Sequence, residues 1–527
     1  MKLTKMLTKQ IAKRIVANPY SFSCEEFTEI ENEAAGILAE AFRFHDLDGL
    51  THLSVKAARA IANSSIPNRG DINLWLGGLT NLSVSLAKAL AEIKGNIYLN
   101  GLQNLSEGAA KALSNHQGVL YLDGLTNLPD KVAKAISNHQ GRNLSLNGLK
   151  TLGDQAANSL LSNKSPLSLS FNGLTELSDA AAKALGKTRG DLSLDGLIKL
   201  SETAAKYLSF HKGKLYLQGL RFISDEAAIA LGNHVGDLIL TRLANITKLG
   251  ALGLAKIKGD LLLSGLKSIS SPVAAALSKH EGELYLCGLE DLSDEVARFL
   301  GKHAGFLRFD RLSELSTKGA RGLAKLRGDL ILDGLVEISE ASAMELARHK
   351  YNLSLRGLGN LTDSAARALA RQKGALFIRI PLANSQETIK ALSRHKGHQL
   401  SLFGLENLDV STARALARYK GKLLLGNLRV ISNESARALA KHQGKKLDLF
   451  WLRTLSTAAA RALGNHQGEF LELGFRLKKI TVEAAKALAK HKGVVLFHDV
   501  DDISATGIAA LRVNPRIKLP SDISESQ

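Results

Sequence analysis

Eleven of the fifteen histidines in this 527-residue chain fall at one place in a recurring pattern: His116, His139, His211, His234, His280, His303, His349, His395, His442, His466 and His491. Histidine is the side chain best suited to metal ligation and to proton transfer near neutral pH, so both chemistries must be weighed. A zinc site needs about four converging ligands. These histidines come singly, with no Cys, Asp or Glu recurring beside them, so no metal is expected. A general base serves one nucleophile, and a residue repeated along the chain is not such a base. What remains is a structural role.

Other chemistry-bearing motifs are weak. The stretch "AAAKALGKT" at 180–188 resembles a phosphate-binding loop, but Ala181 stands where its first glycine should, and the stretch is the tail of a predicted helix. No HExxH, nucleophile elbow or kinase motif set is present. Cys24 and Cys287 lie far apart and follow no metal or redox spacing, which points to a reducing compartment without disulfides. No cofactor is expected.

The elements that would hold the histidines follow from a repeat, "LxLxGLxxLSxxAAxALAxHxG", whose usual step is 23 residues and whose "GL" leucine can be followed from Leu50 and Leu79 to Leu477, with Val500 last. An earlier, atypical copy places Phe22, Cys24, Phe27 and Ile30 in the apolar positions, making twenty-one repeats. The "LxLxGL" half alternates with period two and predicts a short strand. The "LSxxAAxALAxH" half has helical spacing with Ser or Thr as N-cap. Glycine after the histidine is expected to take the left-handed conformation that ends a helix. His211 continues the apolar stripe of Ala204 and Leu208, so its ring is expected to face the core's edge and bond a carbonyl of its own or the next repeat. Repeats of this kind stack, strands joining about 4.8 Å apart while helices about 10 Å wide splay outward, which predicts an arc with the sheet inside.

Segments such as "LILTRLANITKLGALGLAKIKG" and "LYLCGLEDLSDEVARFLGKHAG" resemble leucine-rich repeats. The nearest subclass is the cysteine-containing one, with Leu and His here in the places of its two Cys. The resemblance covers residues 22–513 and implies an α/β solenoid, parallel sheet on the concave face and short helices on the convex face. It implies a scaffold for partners and names none.

Residues 1–21 are expected to form a capping helix, with Leu3, Leu7, Ile11 and Ile15 on one face. The alternative is a basic amphipathic helix lying on a membrane. Residues 514–527 break the pattern and are expected to be a disordered tail. No stretch approaches the ~20 apolar residues that span a bilayer, so a soluble, cytoplasmic protein is expected.

The net charge of +19 makes the placement of cations decisive. Arg367, Arg414, Arg437, Arg461 and Lys486 belong to a basic ridge on the helices, which is either a solvated face or an anion-binding surface. Acids four residues before such cations, as in Asp179 and Lys183 or Asp363 and Arg367, predict supporting i,i+4 pairs. The sheet face carries Trp75, Tyr98, Tyr121, Tyr216, Tyr285 and Arg308 among carboxylates such as Asp195 and Asp333. Aromatics among acids suit a protein partner, such as a basic extended segment. The expected function is a non-enzymatic protein-interaction scaffold using the concave sheet. The alternative is nucleic-acid or anionic-membrane binding through the convex ridge.

Overall fold

The computed structural model describes residues 5–18, 24–41, 44–63, 72–161, 167–380, 386–474, 477–500 and 502–520. They fall into two compact units, Met1–Gly265 and Leu266–Gln527. Leu3 and Phe22, named above, lie outside the described residues.

One repeat, residues 190–213, shows how the sequence builds the element pair. Leu192, Leu194 and Leu197 are fully buried while Ser193 between them is half-buried, so Leu192–Ser193 is a strand with one inward face. Ser201 then caps the helix Glu202–Leu208, its hydroxyl accepting from the Ala204 amide at 3.0 Å. Ala204, Ala205 and Leu208 turn inward. A helix of 7 residues has little stability alone, so its burial between neighbouring helices holds it.

In the first unit the strands from Phe44–Asp46 to Leu261–Leu262 pair in parallel, each with the next in sequence. The register advances one repeat at a time, Leu169 beside Leu192, then Leu215, Leu238 and Leu261. The second unit repeats the scheme from Leu284–Tyr285 to Ile517–Lys518, with Leu284 beside Leu307, then Leu330, Leu353 and Leu376. In each unit the leucines of the strands and the Ala and Leu of the helices form one aliphatic layer between sheet and helices.

The glycines do not act as expected. Among the described glycines, positive φ occurs at Gly95, Gly404 and Gly474, none of which follows a histidine of the row, and at none of the glycines that do. Those glycines are required by close approach instead. A Cβ on Gly213 would lie 2.4 Å from the Gly190 carbonyl oxygen, and one on Gly236 would lie 2.1 Å from that of Gly213. Loops that follow strands about 4.8 Å apart leave no room there for a side chain.

The first-turn acids also differ from expectation. Asp179 accepts from the Ser201 hydroxyl at 2.8 Å, and Asp363 from Thr388 at 2.5 Å, so these carboxylates tie a helix to the N-terminal end of the next. Ion pairs within helices run i,i+3, as in Arg298–Glu295 and Lys390–Glu387. Carboxylates held by the neighbouring repeat are turned away from the cation four residues on.

Both ends continue the repeat. Met6–Leu7 is a strand paired in parallel with Glu29–Ile30, and Lys9–Ala17 is a helix packed on Asn32–Ala41. Leu7 beside Ile30 keeps the 23-residue step, so the segment expected as a single helix is the second half of a repeat. At the other end Ile517–Lys518, assigned above to the tail, pairs with Val495 and Leu496.

Candidate partner-binding face

The histidines occupy the corner where helix turns toward strand, and all eleven are buried, none more than 6% exposed. His139 Nε2 donates to Gly118 O, His395 Nε2 to Gly374 O and His442 Nε2 to Gly421 O, each at 3.1 Å. The acceptor is the preceding repeat's loop, where the sequence reading expected the histidine's own or the next repeat. His211 differs, with Nδ1 3.2 Å from Thr188 O and Nε2 3.2 Å from Lys214 O. Rings stack in pairs, His211 on His234 at 5.8 Å and His280 on His303 at 6.1 Å, and in a longer run from Tyr419 through His442 and His466 to His491. Burial lowers His139, His234, His395, His442 and His466 to about 4. They are neutral at physiological pH.

The sequence reading missed the non-histidine members of this row. Counting by the period finds them: Ile93, Thr188 and Ile257 in the first unit, and Leu326, Gln372, Tyr419 and Asn514 in the second. Ile257 and Leu326 are buried. Tyr419 reaches Gly397 O at 2.8 Å, and Asn514 Nδ2 reaches His491 O at 2.8 Å. Thr188 of the loop-like stretch 180–188 belongs to this row too, and the stretch lies on the helix Asp179–Leu185 and the turn after it, not on a strand-to-helix loop.

On the sheet face of the first unit, Trp75, Tyr98 and Tyr121 stand on three neighbouring strands in direct register. Trp75 stacks on Tyr98 with centroids 4.8 Å apart and 12° between planes, and Tyr98 on Tyr121 at 4.1 Å and 7°. All three are half-buried, so the ribbon presents ring edges and polar tips. Burial, and then the Tyr98 hydroxyl, push Tyr121 up to about 12, which keeps it a neutral hydroxyl. Asn96, two residues before Tyr98 on the same strand, donates to Asn73 at 2.7 Å.

The carboxylates named with these aromatics have local work. Asp195 Oδ1 accepts from the Gln218 amide at 2.9 Å, and Asp333 Oδ1 from the Arg356 amide at 2.9 Å. Asn147 and Asn172 do the same for the strand after their own. These amides lie just past the strand's end, where a side chain of the preceding repeat satisfies them. Tyr216 stands apart from the ribbon, between Ser193 and Ile239. In the second unit Tyr285 and Arg308 are register neighbours, Tyr285 donating to Glu283 and Arg308 binding Asp310 at 2.8 Å.

Two further sheet-face clusters of the second unit escaped the sequence reading. Arg356 lies over the rings of Phe377 and Phe403, 5.1 and 4.5 Å from their centroids. Glu472 joins Lys446 and His498, with His498 Nε2 2.5 Å away, while burial and the Glu472 charge raise Asp448. On the helices, Arg367, Arg414, Arg437, Arg461 and Lys486 are exposed, with Arg437 3.8 Å from Glu434. Among the described residues no group of three or more His, Cys, Asp or Glu is placed to hold a metal, and no helix is long and apolar enough to cross a membrane.

No family model and no curated protein matches the chain. Among solved structures, a leucine-rich-repeat protein of Leptospira interrogans is similar over 94% of this chain and 100% of its own, at 19% identity and a TM-score of 0.27. The fold follows from the repeats themselves. Strand, tight turn, capped helix and buried leucines recur in one register, so the chain has the α/β leucine-rich-repeat solenoid fold.

Proposed function

We propose that the chain is a non-enzymatic scaffold that binds a protein partner through the sheet face of its first unit. The observation that carries this reading is the stacked ribbon of Trp75, Tyr98 and Tyr121. Large, rigid rings with polar tips are the side chains that dominate protein interfaces, since they bury much area for little lost freedom. Their mutual stacking fixes them before a partner arrives, which lowers the ordering cost of binding.

The partner is read by these rings rather than by the carboxylates. Asp195 and Asp333 already serve the next strand, so a basic extended segment has fewer free acids to meet than the composition suggests.

The test is capture of partners by the purified full chain, with and without nuclease, followed by titration of the recovered partner. Trp75→Ala with Tyr98→Ala and Tyr121→Ala is expected to weaken binding by about 2 kcal/mol or more. Reversal of Arg414, Arg437 and Arg461 to Glu is expected to leave it unchanged. Binding kept by the first variant and lost by the second would move recognition to the helices.

A further inference from the structure

We infer that the helix-to-strand edge of the second unit is a binding site for the phosphate backbone of nucleic acid, separate from both the aromatic ribbon and the helix ridge. Five consecutive turns on this edge read "RHKYN" (348–352), "RQKGA" (371–375), "RHKGHQ" (394–399), "RYKGK" (418–422) and "KHQGKK" (441–446). None contains an acid. The run is bounded by "KLRGD" (325–329) and "NHQGE" (465–469), where carboxylates return.

The fold converts that sequence into a line of cations, in which Arg348, Lys445 and Lys446 at the two ends are paired with Glu345, Glu469 and Glu472 and the three middle turns carry the uncompensated charge. Each turn sits at the same place in its repeat, so the cations recur once per repeat along one edge. In the middle lies a cleft of about 750 Å³, lined by Lys373, Arg394–His398, Arg418–Lys422 and Lys445, with no carboxylate in its walls. Lys373, Lys396, Arg418 and Lys420 are exposed, and none is paired with an acid among the described residues. The floor is fixed: Tyr419 donates to Gly397 O at 2.8 Å and His395 Nε2 to Gly374 O at 3.1 Å. The backbone carrying the cations is therefore held before any ligand binds.

The arrangement selects among anions. Charges repeated along a line match a polymer better than one compact anion. A peptide would need apolar anchors, yet the ring of Tyr419 is buried and the other lining residues are Lys, Arg, His, Ser and Gly, none of them an apolar anchor. Binding by charge alone gains its energy from counterions released by a densely charged polymer, which nucleic acid is. Two exposed rings lie on this edge, His398 in the cleft wall and Tyr351 in the first of the five turns. Stacking on a ring accepts any base, so recognition rests on phosphates and is largely independent of sequence.

The test uses the full chain and fluorescence anisotropy with a labelled single strand of mixed sequence and with its duplex. Replacing Lys373, Lys396, Arg418 and Lys420 together by Glu is expected to weaken binding at least about tenfold. Replacing the same four by Gln guards against a folding defect. It is expected to reduce the slope of log affinity against log salt by about 3, since each lost phosphate contact removes about 0.7 to 0.9. Arg414→Glu with Arg437→Glu and Arg461→Glu, an equal kind of change on the helices, is expected to alter affinity less than about twofold. The inference is overturned if the native chain binds neither strand nor duplex at low salt, or if the helix reversal abolishes binding while the edge variants keep it. It is also overturned if phosphatidylserine vesicles, and not nucleic acid, are bound in an edge-dependent way.

Discussion

The rings of His442 and His466 lie parallel, centroids 5.6 Å apart and planes within 5°, with His442 Nδ1 3.4 Å from His466 Nε2. Burial lowers both to about 4, and a charge on His442 or His491 would further oppose one on His466. Unfolded, each titrates near about 6.5. As pH falls below that value the unfolded chain takes up protons that the folded chain refuses. Stability is therefore full above about pH 6.5 and is lost toward about pH 4, each ring contributing up to about 1.4 kcal/mol per pH unit. Melting temperature followed by circular dichroism is expected to fall steeply across this window, and less steeply for His442→Leu with His466→Leu. A melting temperature flat with pH there would contradict the neutral seam.

Ile257 and Leu326 already occupy seam positions, so an aliphatic side chain fits the corner. Neither nitrogen of His303 comes into close hydrogen-bonding geometry with the carbonyls around it, whereas His211 Nδ1 lies 2.7 Å from the Thr188 hydroxyl and its Nε2 3.2 Å from Lys214 O. His303→Leu is expected to change stability by less than about 1 kcal/mol, and His211→Leu to cost about 1 to 3 kcal/mol. Equal losses in thermal denaturation would mean that ring volume alone matters.

Glycines divide in the same testable way. A Cβ on Gly196 would lie 2.2 Å from Asn172 O, so Gly196→Ala is expected to cost about 1 to 3 kcal/mol through backbone displacement. Gly153 precedes the helix Asp154–Leu160 without a side-chain cap and has open space around it. Gly153→Ser is expected to stabilise by a few tenths of a kcal/mol. Chemical denaturation of the two variants decides.

What the sequence discloses is what recurs. Leucine spacing foretells strand, helix and burial, because each apolar position is dictated by the same packing in every repeat. The seam is foretold only where it is histidine. Thr188, Gln372 and Tyr419 fill the same corner with different chemistry, so residue type hides them and only counting by the period exposes them. Asp195 and Asp333 read as binding acids because sequence shows their charge and not the amide one repeat away that takes it. The aromatic ribbon is legible as three residues at one position; their stacking needs the register. Likewise the basic edge is visible as letters, but the cleft is formed by turns whose residues stand 23 or 24 places apart.

The N-terminal half-repeat supplies the last prediction. Leu7, Ala12 and Ile15 are buried, and beneath them Ile30, Ala34, Ala35 and Leu38 are buried in turn. The segment Lys5–Leu7 also accepts backbone bonds: Thr28 N donates to Lys5 O at 2.9 Å and Glu31 N to Leu7 O at 3.0 Å. Deleting residues 1–18 therefore uncovers both an apolar helix face and unpaired strand groups, a template for pairing with another chain. The deleted protein is expected to melt at lower temperature and to associate, read by light scattering during size exclusion. If the segment were instead a separable membrane-surface helix, its loss would leave a monomer of unchanged stability and would abolish binding to anionic vesicles. The lysines argue for the first outcome, since Lys5 and Lys9 are engaged by Glu26 and Glu33 of the next repeat and not left free for lipid headgroups.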